Sequence, residues 1–249
     1  MTKHKKALLF AILLATMTST VALAGEIHLS AGAGMKEVLI ELSEQFAKTH
    51  PGTMFIRNWG PSGTLALQIE NGAPTDLFVS ANEKWIYYLR EKNLLDNSKV
   101  SPFAWNSIVV IGNPALGISS MKELARLDRI ALGNPDSAPA GEMALEAIRT
   151  AGIEKQLNGR LVRTRDVLES LMYAESGVVD ASFVHLTEAL TAKKAKILFT
   201  VPQNLYTRVP YTMGVTKKGA SNVEVTRFYD YLKSPEARTI LKRYGYALK

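Results

Sequence analysis

The sequence predicts an α/β protein with two lobes, in which parallel sheets carry helices on both faces. Strand-like and helix-like segments alternate along the chain, a pattern typical of parallel sheets covered by helices. Short apolar runs such as 76–79 and 107–111 have the length and composition of buried strands. Long strand-like stretches near 105–111 and 211–215 indicate where the chain crosses between the two lobes.

The first half of the chain predicts four strands and three helices. Apolar residues recur at helical spacing from Met35 through Val38 and Leu42, and His50-Pro51-Gly52 follows, so a helix is predicted at 35–49. The remaining elements of this half are strands at 26–30, 53–58, 76–79 and 107–111 and helices at 64–71 and 83–92.

The second half repeats the alternation and ends in two helices. Its predicted elements are strands at 129–132, 161–162, 181–184, 196–201 and 211–215 and helices at 141–150, 166–175, 223–232 and 235–244. From this order we expect residues 25–105 and 218–249 to form lobe I, and 106–217 to form lobe II. The segment 1–24 is assigned to neither lobe.

Residues 1–24 have the features of a cleaved secretory signal peptide. Three lysines precede an apolar stretch at 7–15, and Ala22-Leu23-Ala24 has the small-x-small pattern of a cleavage site. The alternative is a short membrane anchor, but the stretch is shorter than the roughly 20 residues that span a bilayer. We therefore expect Gly25 to be the first residue of the mature chain.

The composition excludes several classes of protein. The chain has no cysteine, so it has no disulfide, no thiolate metal site and no lipid-anchoring cysteine. A secreted chain without an anchor is retained only by an outer barrier, which favours the periplasm of a double-membraned bacterium. The net charge is +7, and three of the lysines lie within 1–24. This weak, scattered bias does not indicate a nucleic-acid partner.

Four loops run directly into predicted helix N-termini, where an anion is stabilised. They are 31–34, 60–63, 138–141 and 164–167, and the first three are rich in small residues. The first turn of a helix has backbone N–H groups without intrahelical acceptors, and the helix dipole makes that end partly positive. Ser62 adds a hydroxyl donor. Each loop taken singly is more often an ordinary cap or turn.

Groupings typical of catalysis are absent from the sequence. The four histidines include none at metal-ligand spacing, and neither a Gly-x-Ser-x-Gly elbow nor a phosphate-binding glycine loop followed by lysine occurs. We therefore expect no enzyme activity and no cofactor. The enzyme alternative requires His185 as a general base with a carboxylate such as Asp180 or Glu188 to orient it. A sensor protein is a further alternative, but it is less favoured because we find no fused DNA-binding or transmembrane module in the sequence.

Several segments resemble the periplasmic molybdate-binding proteins. The most specific is the run from Ser62 to Leu65 together with the run from Gln68 to Ala81. The further matching segments are 84–85, 133–135, 139–141, 166–167 and 228–235. The resemblance implies a type II periplasmic-binding-protein fold with two αβ lobes and a ligand cleft between them. It also implies delivery of the ligand to a membrane ABC permease.

The resemblance implies which residues bind the anion. Ser62 matches a family serine that donates its backbone N–H and its hydroxyl, and Ala140 and Val167 match positions that donate backbone N–H groups. Gly34 stands where the family usually has a serine, so that hydroxyl is missing. His185 stands where the family usually has a tyrosine that contacts the anion. Two interpretations of His185 remain open: a donor to the anion, or a structural histidine at a strand end.

The expected ligand is molybdate or tungstate, bound by a monomer that has no nucleic-acid partner. Molybdenum or tungsten is present only as the oxyanion, held as cargo rather than as a cofactor. The departures at Gly34 and His185 leave other ligands open: sulfate, phosphate, chromate or a small carboxylate. The enzyme alternative on the same two-lobed scaffold also remains open.

Overall fold

The structure is a computed structural model that describes residues 25–136 and 138–248. The predicted signal peptide at 1–24 lies outside the described residues. Within them the chain folds into two five-stranded sheets with helices packed on both faces. None of the helices in this part of the chain has the length and apolar character needed to cross a membrane.

Within residues 25–136 and 138–248, ten strands and eight α-helices are numbered in chain order. The strands are β1 (Glu26–Gly32), β2 (Met54–Gly60), β3 (Leu77–Ser80), β4 (Leu95–Trp105), β5 (Ile108–Gly112), β6 (Ile130–Gly133), β7 (Leu161–Thr164), β8 (Ala181–His185), β9 (Lys196–Thr200) and β10 (Pro210–Thr216). The helices are α1 (Lys36–Thr49), α2 (Ser62–Glu70), α3 (Glu83–Glu91), α4 (Pro139–Thr150), α5 (Val167–Ser176), α6 (Leu186–Ala189), α7 (Val223–Tyr231) and α8 (Pro235–Arg243).

The two sheets have matching architectures. The first has the strand order β2-β1-β3-β10-β4, and the second has the order β7-β6-β8-β5-β9. In the first sheet β1 is parallel to β2 and β3, and in the second β6 is parallel to β7 and β8. The carboxyl ends of three parallel strands therefore meet at one edge of each sheet, where ligands bind in open α/β sheets.

Both faces of each sheet are buried against helices. Along β5, Ile108 and Val110 enter one hydrophobic core, whereas Val109 and Ile111 enter another on the opposite face. All four side chains are fully buried. A strand covered on both faces reads as a continuous apolar run instead of alternating with polar residues, which is why this strand was recognisable in the sequence.

The prediction of parallel sheets is wrong in part, because both sheets are mixed. β10 is antiparallel to β3 and β4, and β5 is antiparallel to β8 and β9. Strands are obliged to run parallel only where a helical crossover returns the chain to the same end of a sheet. β5 instead follows β4 after two residues, and β10 follows the segment 201–209 that leaves β9.

The sheet ladders show which strands pair with β10, whereas the predicted division into lobes stays a prediction. Residues 106–217 were assigned to lobe II, but β10 forms hydrogen-bonded ladders with β3 and β4 of the first sheet. The apolar run at 211–215 identifies a strand without identifying its partners, because hydrogen-bonded neighbours are set by tertiary packing. The other chain crossing lies at Asn106-Ser107, between β4 and β5.

Candidate functional site

The first group of predicted anion-binding residues lies at the carboxyl edge of the first sheet. Gly34 follows β1, and Ser62 is the first residue of α2 directly after β2. Gly32 and Gly60 are paired in register at the ends of these two strands. A Cβ on Gly32 would lie 3.6 Å from Ser62 Oγ and 3.5 Å from the Ala81 side chain. The loops after β1, β2 and β3 therefore converge on one place.

The Ser62 hydroxyl is oriented by the neighbouring loop. The backbone N–H of Ala81 donates to Ser62 Oγ at 3.1 Å. Because this bond uses an acceptor lone pair, the hydroxyl hydrogen of Ser62 remains able to donate to a ligand. Ala81 was not among the predicted site residues, although it lies in the sequence segment that carries the family resemblance.

The second group lies at the carboxyl edge of the second sheet. Ala140 is in the first turn of α4, and Val167 is the first residue of α5. The two preceding loops are tied together by a 2.7 Å bond from the Asn134 N–H to the Thr164 carbonyl. A Cβ on Gly133 would lie 2.9 Å from the Ala138 side chain and 3.6 Å from Asp166. Helices α4 and α5 therefore begin side by side.

Gly141 allows α4 to begin close to β6. A Cβ at this position would lie 1.9 Å from the carbonyl oxygen of Gly133 and 2.6 Å from its carbonyl carbon. These separations are far shorter than van der Waals contact, so only glycine permits this approach. The N-terminus of α4, with the backbone N–H of Ala140, is thereby placed at the end of the strand.

The carboxylates near Val167 accept backbone N–H groups at the start of α5, and the nearby arginine is exposed to solvent. The Asp166 carboxylate accepts the backbone N–H of Glu169 at 2.9 Å and caps α5. Glu169 in turn accepts the backbone N–H of Arg165 at 2.7 Å. The Arg165 side chain is 83% exposed and faces solvent. Neither charge is needed to explain how Val167 would bind an anion.

His185 ends β8 and is buried, with 8% of its surface exposed. Its Nδ1 atom lies 3.5 Å from a carboxylate oxygen of Glu188. Asp180, the other carboxylate considered for His185, instead accepts the backbone N–H groups of Asp128 and Arg129 at 2.8 and 2.9 Å. The carboxylate nearest to His185 is therefore Glu188.

Polar contacts at the chain crossing connect the surroundings of the two groups. Tyr246 donates its hydroxyl to the Gly34 carbonyl at 3.1 Å, and its ring packs edge-on against Tyr211 at 5.6 Å. The Asn106 amide donates to the Tyr211 hydroxyl at 3.4 Å and to Thr187 Oγ1 at 2.8 Å. The sequence offered no local signal for these contacts, because each of them joins residues that are far apart in the sequence.

Burial sets the ionisation of this polar region. It raises the pKa of Tyr211 to about 12, with a further contribution from the Glu188 charge, and it raises the pKa of Tyr246 well above its usual range. Burial opposes ionisation of Glu188, but hydrogen bonds from His185 and Thr187 and the charge of His185 hold its pKa below the ordinary value. The phenols are therefore neutral, and Glu188 is an ionised carboxylate.

The arrangement is suited to holding an anion by hydrogen bonds. Its predicted donors are backbone N–H groups at three helix starts and in the Gly34 loop, together with a hydroxyl and an imidazole. In residues 25–136 and 138–248, no group of three or more His, Cys, Asp or Glu side chains is placed to hold a metal ion.

Comparison with known proteins identifies the family. The model of the family described as bacterial extracellular solute-binding protein matches residues 27–247. The chain belongs to this family. The chain is similar to the molybdate-binding protein ModA of Escherichia coli (strain K12), with 34% identity over 233 residues that cover 90% of each chain.

Further relatives span nearly the whole solute-binding chain. The molybdate-binding protein ModA of Haemophilus influenzae is 30% identical over 247 residues, which cover 96% of each protein. The substrate-binding domain of a putative molybdenum ABC transporter from Clostridium difficile superposes with a TM-score of 0.85 at 30% identity, covering 90% of this chain and 99% of that one. This similarity confirms the two-lobed α/β fold that the sequence predicted.

Proposed function

We propose that the protein captures molybdate or tungstate between its two lobes and passes it to an ABC permease. The observation that carries this proposal is the matched architecture of the sheets, each of which ends in loops that lead into helix N-termini. The relatives named for molybdate support this choice of anion. We infer that the protein works as a monomer in the periplasm and releases its ligand chemically unchanged.

The proposed ligand contacts come from both lobes. Gly34 and Ser62 would donate from the first sheet, and Ala140, Val167 and His185 from the second. One anion bound to both sets favours the closed arrangement of the lobes, because only that arrangement satisfies all of the donors at once. The loss of the family serine hydroxyl at Gly34 removes one donor, but its backbone N–H is retained.

A site composed of donors selects among anions by protonation and size. Molybdate and tungstate are fully ionised at neutral pH, so each of their oxygens accepts hydrogen bonds. Phosphate carries a proton at this pH and needs an acceptor in the site. Sulfate has the same charge and shape as molybdate but is smaller, so its exclusion depends on the dimensions of the closed cleft.

Ligand-induced stabilisation tests the proposal. Molybdate at about 1,000 times its dissociation constant should add about 4 kcal/mol to the free energy of unfolding. For a chain of this size that corresponds to a rise of about 10 °C in melting temperature. Thermal unfolding of the protein with molybdate, tungstate, sulfate and phosphate at matched ionic strength measures the effect.

The control anions separate specific binding from a general salt effect. We expect molybdate and tungstate to raise the melting temperature at micromolar concentrations at which sulfate and phosphate do not. Equal shifts with all four anions would indicate a non-specific effect and contradict the proposal. A shift with sulfate or phosphate alone would assign the protein to another oxyanion.

A further inference from the structure

The C-terminal segment brings a buried tyrosine to the loop that holds Gly34. The hydroxyl of Tyr246 donates to the Gly34 carbonyl at 3.1 Å. Tyr246 is 4% exposed, and its ring lies in the hydrophobic core of the first sheet, edge-on to Tyr211. Burial, with contributions from Tyr211 and Glu188, raises the pKa of Tyr246 well above its usual range. The phenol therefore keeps its hydrogen and remains a donor around neutral pH.

The backbone on both sides of Tyr246 is held in place. Gly245 follows the end of α8 at φ +88°, and its N–H and that of Tyr246 each donate at 3.0 Å to carbonyls in the last turn of that helix. This pair of bonds is a Schellman motif, which favours glycine at the left-handed position. Beyond Tyr246, Ala247 exchanges two backbone hydrogen bonds with Trp105 at the end of β4, at 2.9 and 2.7 Å. Tyr246 is therefore a fixed point to which a loop can be attached.

The Gly34 loop has few restraints of its own. Met35 is buried, but Ala33 and Gly34 are exposed, and a Cβ on Gly34 would meet nothing within 4 Å. Glycine also has the widest range of backbone conformations where nothing constrains it. The Gly34 carbonyl belongs to the rigid, planar peptide that joins this residue to Met35. A hydrogen bond to that oxygen therefore limits rotation of the chain at Gly34, whose N–H is a proposed donor to the anion.

We propose that Tyr246 is a positioning residue for anion binding, which holds the Gly34 loop in its ligand-binding conformation before the anion arrives. This inference rests on the proposed function, since it takes the Gly34 N–H as a donor to the anion. A loop that is ordered in advance loses less conformational entropy on binding, so the same contacts give a higher affinity. In this role Tyr246 does not touch the ligand, and its effect on affinity passes through Gly34.

The variant Tyr246→Phe tests this role, because it removes the hydroxyl and keeps the ring. We expect molybdate affinity, measured by calorimetry, to fall about tenfold. The matched control is Tyr229→Phe. Tyr229 is also 4% exposed, and its hydroxyl donates at 2.9 Å to Ser101 Oγ on β4, a strand that leads into none of the loops with proposed donors. Each variant loses one buried hydrogen bond, so both melting temperatures should fall by a similar amount, about 2–4 °C.

Affinity separates the two variants if Tyr246 acts on the loop. We expect Tyr229→Phe to bind molybdate within about twofold of the wild type, because its lost bond affects stability alone. An equal loss of affinity in both variants, or wild-type affinity in Tyr246→Phe, would overturn the proposal.

The ligand-free protein provides a measurement that a purely structural role of Tyr246 would not change. The ¹⁵N relaxation of the Gly34 amide reports the order of the loop on the picosecond-to-nanosecond timescale. We expect an order parameter of about 0.85 in the wild type and in Tyr229→Phe, and below about 0.6 in Tyr246→Phe. An equally ordered Gly34 amide in all three proteins would overturn the role of Tyr246. Failure of the wild type to bind molybdate would instead contradict the proposed function, and the relaxation data would still decide whether Tyr246 orders the Gly34 loop.

Discussion

Replacing Val167 with proline is expected to weaken molybdate binding by about 10- to 100-fold while leaving the fold intact. Val167 is the first residue of α5, a helical position that accepts proline because its N–H has no intrahelical acceptor. The preceding Asp166 has φ −153° and ψ 178°, an extended conformation that suits a following proline. The substitution therefore removes the proposed backbone donor and little else.

The matched control is Val167→Ala, which shortens the side chain but keeps the N–H group. Calorimetric titration of both variants with molybdate separates the backbone contribution from the side-chain contribution. We expect near wild-type affinity for the alanine variant, and circular dichroism should show unchanged helix content in both. If the proline variant binds molybdate as tightly as the alanine variant, the Val167 N–H does not contact the anion.

Replacing Gly141 with alanine should damage both stability and binding. The added Cβ would lie 1.9 Å from the Gly133 carbonyl oxygen, so the start of α4 must move away from β6. Overpacking against backbone atoms is expected to lower the free energy of unfolding by about 3 kcal/mol. Movement of the α4 N-terminus also displaces the Ala140 N–H, so affinity should fall by about tenfold or more. Urea unfolding and calorimetric titration measure the two effects.

The variant Gly60→Ala provides the comparison. Gly60 lies just before the N-terminus of α2, but a Cβ there would meet its nearest neighbour, the Leu65 side chain, at an ordinary 3.5 Å. We expect its free energy of unfolding to change by less than about 1 kcal/mol. Equal stability of the Gly141 and Gly60 variants would show that the close approach of α4 to β6 is not required.

Local pattern was sufficient to predict most of the elements. The helix at 35–49 and the strand at 107–111 differ by one residue from α1 and β5, because spacing and apolar runs are visible without tertiary information. β4 was not predicted as a strand, since the segment 95–102 is rich in polar residues and lies at the edge of its sheet. The partners of β10 depend on contacts distant in sequence, so the sequence did not identify its sheet.

The candidate site was predictable in its loops but not in its supporting contacts. Small residues before helices marked the loops that hold Ser62 and Ala140, and the resemblance selected individual positions within them. The contacts of Asn106 and Tyr246 join segments that have no common motif, so only the folded chain reveals them. The structure therefore adds most around Asn106 and Tyr246, whose hydrogen bonds join distant segments of the chain.

The most direct test of the central claim is a crystal structure of the protein grown with tungstate, with the metal located by its anomalous scattering. We predict a single tungsten peak between the two sheets, with tungstate oxygens within about 3 Å of the backbone nitrogens of Gly34, Ser62, Ala140 and Val167 and of His185 Nε2. A peak elsewhere on the molecule, or a cleft without tungsten while these N–H groups bind other acceptors, would contradict the account.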